Sequence, residues 1–119
     1  MDKPLNTVAF TQAFLNQASD EGMGETEMNA LVALLSADPT AGELIVGSGG
    51  CRKVRIARKG SGKSGGFRVV TFFAPRDMPV YVVAVLAKGS RANFTASEVA
   101  AMATFAKRIL AAYPLRETG

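Results

Sequence analysis

Four cationic side chains are spaced so that they can meet and bind phosphate. Lys53 and Arg55 lie two residues apart in a segment with strand periodicity. Arg68 opens the next strand pattern, and Lys88 ends the third. If the three strands pair as a meander, the four cations converge on one side of a sheet and form a site in which each positive charge disfavours the protonated form of a neighbouring lysine. The alternative is a basic surface that carries no catalytic site, and the residues alone do not decide between the two interpretations.

The surrounding stretch is strongly basic. From Arg52 to Arg76 the chain has no carboxylate and eight cations, which are Arg52, Lys53, Arg55, Arg58, Lys59, Lys63, Arg68 and Arg76. The net charge of +4 hides this asymmetry, because the first 50 residues hold seven carboxylates against one lysine. Concentrated positive charge is compensated by a polyanion, so we expect nucleic acid to bind the second half of the chain.

The composition excludes several kinds of site. Histidine is absent and Cys51 is the only cysteine, which removes the usual zinc sites and the Ser–His and Cys–His nucleophile pairs. We therefore expect no cofactor and no metal, and we interpret Cys51 as a packing residue. A single cysteine suits a reducing cytoplasm, and the chain shows no apolar run or signal pattern that predicts a membrane association.

The N-terminal part predicts two helices. Residues 7–19 begin with a short strand pattern and continue with helical periodicity. A second helix has Glu25 and Glu27 in its first turn, where carboxylates favour the helix dipole, and it stops at Pro39. A loop with four glycines then leads into the basic part.

Three strand patterns follow the loop. Residues 51–58 alternate with period two, which places Lys53 and Arg55 on one face. Residues 67–74 form the next strand. Residues 80–87 are almost continuously apolar, as expected of a central strand that is buried on both faces.

The last element is a helix from about Ala96 to Tyr113, with Thr95 and Glu98 as a capping box at its start. The fold class is therefore α+β, with N-terminal helices packed on a small antiparallel β-meander and a C-terminal helix. The length predicts a single domain over residues 1–119.

The segment Gly60–Ser64 is similar to the end of a phosphate-binding P-loop. The complete motif requires glycine where Ala57 stands and a helix afterwards, whereas residues 67–74 predict a strand. We interpret the segment as a flexible hairpin connection, in which Lys63 is placed to touch a phosphate backbone.

Three blocks, Gly49–Arg58, Gly62–Val70 and Ala84–Lys88, resemble the RelE superfamily of toxins. The closest likeness is to HigB-type toxins of bacterial type II toxin–antitoxin modules, and it covers roughly residues 8–112. The resemblance implies a microbial-ribonuclease-like fold and cleavage of mRNA on the ribosome. In that reaction the ribose 2′-OH attacks the adjacent phosphate and leaves a cyclic phosphate and a free 5′-OH.

The resemblance also implies roles for single residues. Lys53 and Arg55 match a basic pair, with Lys53 as the general base, while Arg68 and Lys88 stabilise the charge on the reacting phosphorus. Some members carry a tyrosine where Phe94 stands, so the general acid is open. The cations implied to position RNA or the ribosome are Arg52, Arg58, Lys59, Lys63, Arg76 and Arg91.

A toxin of this type implies a cognate antitoxin, typically with a helix-turn-helix DNA-binding domain. Two other functions remain open at this point. The first is a ParE-like toxin that acts on DNA gyrase without cutting RNA. The second is a basic nucleic-acid-binding module with neither activity, which would bind with a steep salt dependence.

Overall fold

A computed structural model describes residues 6–58, 66–87 and 94–113, which form three helices and five strands. In chain order these are β1 (Val8–Phe10), α1 (Gln12–Glu21), α2 (Glu25–Ala37), β2 (Glu43–Leu44), β3 (Cys51–Ile56), β4 (Phe67–Phe72), β5 (Val80–Ala87) and α3 (Ala96–Ala112). Every predicted helix and strand is present, with ends within two residues of the expected positions. The sequence pattern does not predict β2.

The strands form one mixed sheet in the order β1-β5-β4-β3-β2. β3, β4 and β5 make the predicted antiparallel meander. β1 adds to it parallel to β5, and β2 adds antiparallel to β3. The α+β class is confirmed, but the meander is the centre of a five-stranded sheet in the described part of the chain. The two outer strands are too short to show period-two alternation, so their pairing is invisible in the sequence.

Side chains and a glycine set the limits of α1 and α2. The Thr11 hydroxyl accepts a hydrogen bond from the Phe14 N–H at 3.0 Å, which satisfies a donor that the first helical turn leaves free. Gly22 ends α1 with a φ of 81°, a left-handed conformation that glycine adopts readily. At the start of α2 the Gly24 N–H donates to the Glu27 carboxylate at 2.7 Å.

The predicted capping box of α3 is confirmed. The Glu98 N–H donates to the Thr95 hydroxyl at 3.1 Å, and the Thr95 N–H donates to the Glu98 carboxylate at 2.7 Å. These reciprocal bonds satisfy two backbone donors at once and fix where the helix begins.

The helices cover both faces of the sheet, and each face has its own core. Residues buried on the face covered by α1 and α2 include Phe14, Leu31, Leu35, Val54, Ile56, Phe67, Val69 and Val82. Those on the face covered by α3 include Cys51, Val70, Phe72, Met102 and Ala106. Because side chains alternate along a strand, Lys53 and Arg55 project from the α3 face.

Candidate functional site

Three of the four predicted catalytic cations meet on strands β3 and β4. Arg55 and Arg68 are directly opposite each other in the antiparallel pair. Lys53 lies two residues before Arg55, so all three side chains project from the α3 face. Arg55 is exposed, whereas Lys53 and Arg68 are half-buried. Lys88 lies outside the described residues.

A cavity of about 470 Å³ lies beside these cations, at the edge of β3. β2 pairs with β3 only at Arg52 and Lys53, so the edge of β3 beyond Lys53 has no strand partner among the described residues. The cavity is lined by Leu34, Ala41, Gly42, Glu43, Lys53, Val54, Arg55 and Arg68. The charged groups among the described lining residues are three cations and one carboxylate, and cations of this kind form strong hydrogen bonds with an anion such as phosphate.

Gly42 and Arg52 hold the segment just before β2, which forms one wall of this cavity, against β3. Gly42 has a φ of +96°, and a Cβ there would clash with the backbone carbonyl oxygen of Lys53, so a larger residue would have to move the backbone. Arg52 Nη1 donates to the Gly42 carbonyl oxygen at 3.1 Å. Together these contacts place Glu43 opposite Lys53, its register partner on β3. Arg52, which the resemblance assigns to RNA, therefore holds this segment.

Gly66 leaves room for the side chain of Arg55. A Cβ at Gly66 would lie 3.3 Å from Arg55 Nε and 3.2 Å from the Ile56 carbonyl oxygen. The Arg55 side chain thus passes close over the backbone just before β4. The absence of a side chain at this point lets the guanidinium lie on the same surface as Arg68.

Arg58 points away from the cavity. Its guanidinium carbon lies 5.6 Å from the ring centroid of Phe67, in a cation–π contact with the α1–α2 core. A Cβ at Gly22 would lie 3.6 Å from Arg58 Nη2, which places the guanidinium at the C-terminal end of α1. A cation is favourable there because of the helix dipole. Arg58 therefore stands on the opposite face from Lys53.

Arg76 closes the C-terminal end of α3. Its Nη1 donates to the carbonyl oxygens of Leu110, at 2.8 Å, and Tyr113, at 2.7 Å. The last carbonyls of a helix have no partner within the helix, so the guanidinium supplies one. Arg76 follows the C-terminal end of β4, whereas Arg68 lies near the N-terminal end of that strand. The contact of Arg76 with RNA or the ribosome stays a prediction.

The other predicted cations Lys59, Lys63 and Arg91 lie, like Lys88, outside the described residues. Their contacts remain expectations from the sequence. Of the cations singled out that the structure describes, three line the cavity and three are held by other parts of the chain. The second group consists of Arg52, Arg58 and Arg76.

Two groups in the cavity wall were missed by the sequence interpretation, namely Gly42 and Glu43. The run Glu43-Leu44-Ile45-Val46 contains β-branched residues that favour a strand, which could have predicted β2. No sequence signal gives its register with β3, because only two residues pair. The position of Glu43 opposite Lys53 is therefore known only from the structure.

Cys51 is a packing residue, as predicted. It is fully buried between the sheet and α3, and burial raises the pKa of its thiol to about 11, although a hydrogen bond with Ser48 works in the opposite direction. The thiol is therefore protonated at neutral pH and is not a candidate nucleophile.

Tyr81 and Tyr113 form a phenol pair on the α3 face, with hydroxyl oxygens 2.9 Å apart. The bond to Tyr113, with a smaller contribution from burial, raises the pKa of Tyr81 to about 12. Neither ring lines the cavity. The hydrogen bond joins Tyr113, at the end of α3, to Tyr81 on β5 and so holds the end of the helix on the sheet.

The described residues bring no three His, Cys, Asp or Glu side chains close enough together to hold a metal ion. None of the three helices in those residues has the length and apolar character to cross a membrane.

One comparison with known proteins covers most of the chain. Residues 8–115 match the family model described as the RelE toxin of the RelE / RelB toxin–antitoxin system. The matched range contains every described helix and strand and all the residues that line the cavity.

Proposed function

Because the chain belongs to the RelE toxin family, whose members have a cognate antitoxin, we propose that it is an endoribonuclease that cleaves mRNA on the ribosome. The observation that carries the proposal is the arrangement of Lys53, Arg55 and Arg68 around one cavity. Strand register fixes the spacing of these three cations on two adjacent strands. They are therefore better suited to bind one phosphate than cations scattered over a solvated surface would be.

The cations act on the scissile phosphate. Arginine presents several donors in a rigid fork, so Arg55 and Arg68 are suited to paired hydrogen bonds with the two non-bridging oxygens. When the ribose 2′-OH attacks the phosphorus, negative charge on those oxygens rises, and fixed cations stabilise it more strongly than they stabilise the bound substrate. From the sequence resemblance, Lys53 is proposed as the general base, and Lys88 is proposed as a further cation that stabilises charge on the phosphate.

The closest branch of the family is proposed to be the HigB-type toxins, because the blocks Gly49–Arg58 and Gly62–Val70 resemble that group. The cognate antitoxin is then proposed to carry a helix-turn-helix domain. An acidic segment of the antitoxin would neutralise the cationic surface around Arg55 and Arg68 and compete with RNA.

Induced expression in a bacterial host tests the proposal. Growth should stop, and cellular mRNA should carry new ends inside codons of translated regions. The matched variant Arg68→Ala should permit growth at an equal level of folded protein. Growth arrest with intact mRNA would overturn the proposal. Inhibited supercoiling by gyrase in the same cells would favour the ParE-like function instead, and RNA binding with a steep salt dependence and no toxicity would indicate a binding module.

A further inference from the structure

The cavity beside the cations has two walls of different chemistry. The charged wall consists of Glu43, Lys53, Arg55 and Arg68, and the apolar wall consists of Leu34, Ala41 and Val54. A phosphate needs only the charged wall. The volume of about 470 Å³ lies within the range of pockets that bind whole small molecules, roughly 300–1,000 Å³, and such pockets combine apolar surface with a few polar groups. The cavity therefore has room for more of its ligand than one phosphate.

The two walls lie on opposite faces of β3. Successive side chains of a strand project from opposite faces, so Lys53 and Arg55 stand on the α3 face and Val54 stands on the face that α1 and α2 cover. β2 pairs with β3 only as far as Lys53, so no strand among the described residues separates the walls beyond that point. The cavity therefore passes around the edge of β3 and reaches both faces of the sheet.

Leu34 brings the apolar wall in from α2. Leu34 and Ala41 are half-buried and pack against the core that α1 and α2 cover, whereas Val54 is only 5% exposed. The two half-buried side chains thus keep part of their apolar surface in the cavity. A ligand that covers this surface removes it from water, which is favourable.

The bases of RNA have the shape and chemistry that suit this wall. Each phosphate of RNA lies between two nucleosides, and an unpaired base can turn out of its stack and lay its flat face against a protein. We propose that the apolar wall is a base subsite, and this assignment rests on the proposed function. The scissile phosphate binds the charged wall, and the base of one of the two flanking nucleotides packs against Leu34 and Ala41.

The contact of Leu34 with the base acts on binding. It is formed in the bound substrate and is kept in the transition state, because the base takes no part in the bonds that change. Loss of such a contact raises the concentration that gives half of the maximal rate and leaves the maximal rate itself unchanged. Leu34 is accordingly a positioning residue for the substrate.

Paired changes in the protein and in the RNA test the subsite. Single-turnover cleavage is measured on ribosomes that hold a natural mRNA or an mRNA with an abasic ribonucleotide on either side of the scissile phosphate. The abasic unit lacks the base and keeps the 2′-OH. In the wild-type protein, removal of the base at one of the two positions should raise the half-saturating concentration about tenfold, as expected for an apolar contact in a pocket. Leu34→Ala should show a similar rise with natural mRNA, and on that abasic mRNA it should lie within about twofold of the wild type.

Three further variants serve as controls. Leu15→Ala makes the same substitution at a leucine of α1 that is 39% exposed and does not line the cavity, so it should behave as the wild type on every RNA. Leu34→Met keeps an apolar side chain of similar size and should distinguish natural from abasic mRNA as the wild type does. Thermal unfolding of each variant checks that it is folded. Ala41→Asp puts a charge into the apolar wall from outside the helices and should give the pattern of Leu34→Ala if that variant does not fold.

Equal losses on natural and abasic mRNA in a folded Leu34→Ala protein would show that Leu34 only supports the fold, and the subsite would be wrong. The same holds if the wild-type protein cleaves both abasic mRNAs as well as the natural one. Failure of the wild-type protein to cleave natural mRNA would instead overturn the proposed function.

Discussion

Arg55 and Arg68 face each other directly across β3 and β4, so that two permanent positive charges occupy one cross-strand pair. Strand register therefore fixes the two guanidinium groups on one face, beside the cavity. Under the proposed function, a phosphate bound beside the pair is attracted by both charges.

Replacement of Arg68 tests the role proposed for this pair. In Arg68→Ala we expect the cleavage rate to fall by about 10²–10³-fold, as for the loss of one donor that stabilises transition-state charge. Thermal unfolding of the variant checks that the loss of rate does not come from a loss of folded protein. Lys107→Ala is the control, since it removes a positive charge from an exposed position on α3. Equal losses of activity in both variants would indicate a general electrostatic effect.

Arg76 is expected to stabilise the fold. In Arg76→Ala the carbonyl oxygens of Leu110 and Tyr113 lose a charged donor, which should cost about 1.5–3 kcal/mol of unfolding free energy. Chemical denaturation measures this loss, and amide hydrogen exchange should be faster in the last turn of α3 than in β5. An unchanged unfolding free energy together with weaker binding to ribosomes would show that Arg76 acts on the partner alone.

The phenol pair gives the protein an alkaline pH dependence. The folded protein holds the Tyr81 proton more tightly than an unfolded chain, because its pKa is raised from 10.0 to about 12. The resulting stabilisation is complete below pH 10 and is lost as the pH rises through about 12. In Tyr113→Phe, Tyr81 is the only tyrosine left, and its ionisation, followed by tyrosinate absorbance, should move down towards the ordinary value. An unchanged titration would contradict the hydrogen bond.

The thiol of Cys51 should be unreactive in the native protein. It is fully buried, and its pKa of about 11 leaves almost no thiolate at neutral pH. A thiol reagent should modify it at the rate of global or local unfolding, and rapidly once denaturant is added. Cys51→Ala should keep wild-type cleavage activity. Fast labelling of the folded protein, or a loss of activity without a loss of stability, would contradict a packing role.

The order of helices and strands could be predicted because each long element has its own periodic pattern and end signal. The apolar run of residues 80–87 predicted β5 to the residue, and the Thr95–Glu98 capping box predicted the start of α3. β1 and β2 have three and two residues, so no periodicity can reveal that they extend the sheet. Their pairing depends on tertiary packing, which local sequence does not encode.

The candidate site was only partly predictable for the same reason. The period-two pattern of β3 was sufficient to place Lys53 and Arg55 on one face, and the meander brought Arg68 beside them. The sequence separated these cations from Arg58 and Arg76, which it assigned to RNA or the ribosome, but it did not show that those two contact Phe67 and the end of α3. Glu43 could not be predicted, because its position depends on the register of a two-residue strand.

The most direct measurement of the central claim is the chemical identification of RNA ends made by purified protein. The wild-type protein is incubated with mRNA alone and with the same mRNA bound to translating ribosomes. We predict cleavage on ribosomes that leaves 2′,3′-cyclic phosphate and 5′-OH ends, with the yield from Arg68→Ala reduced by about 10²–10³-fold. Full-length mRNA under both conditions, from a protein that is folded and free of its antitoxin, would contradict the proposal that this basic cavity is a ribonuclease site.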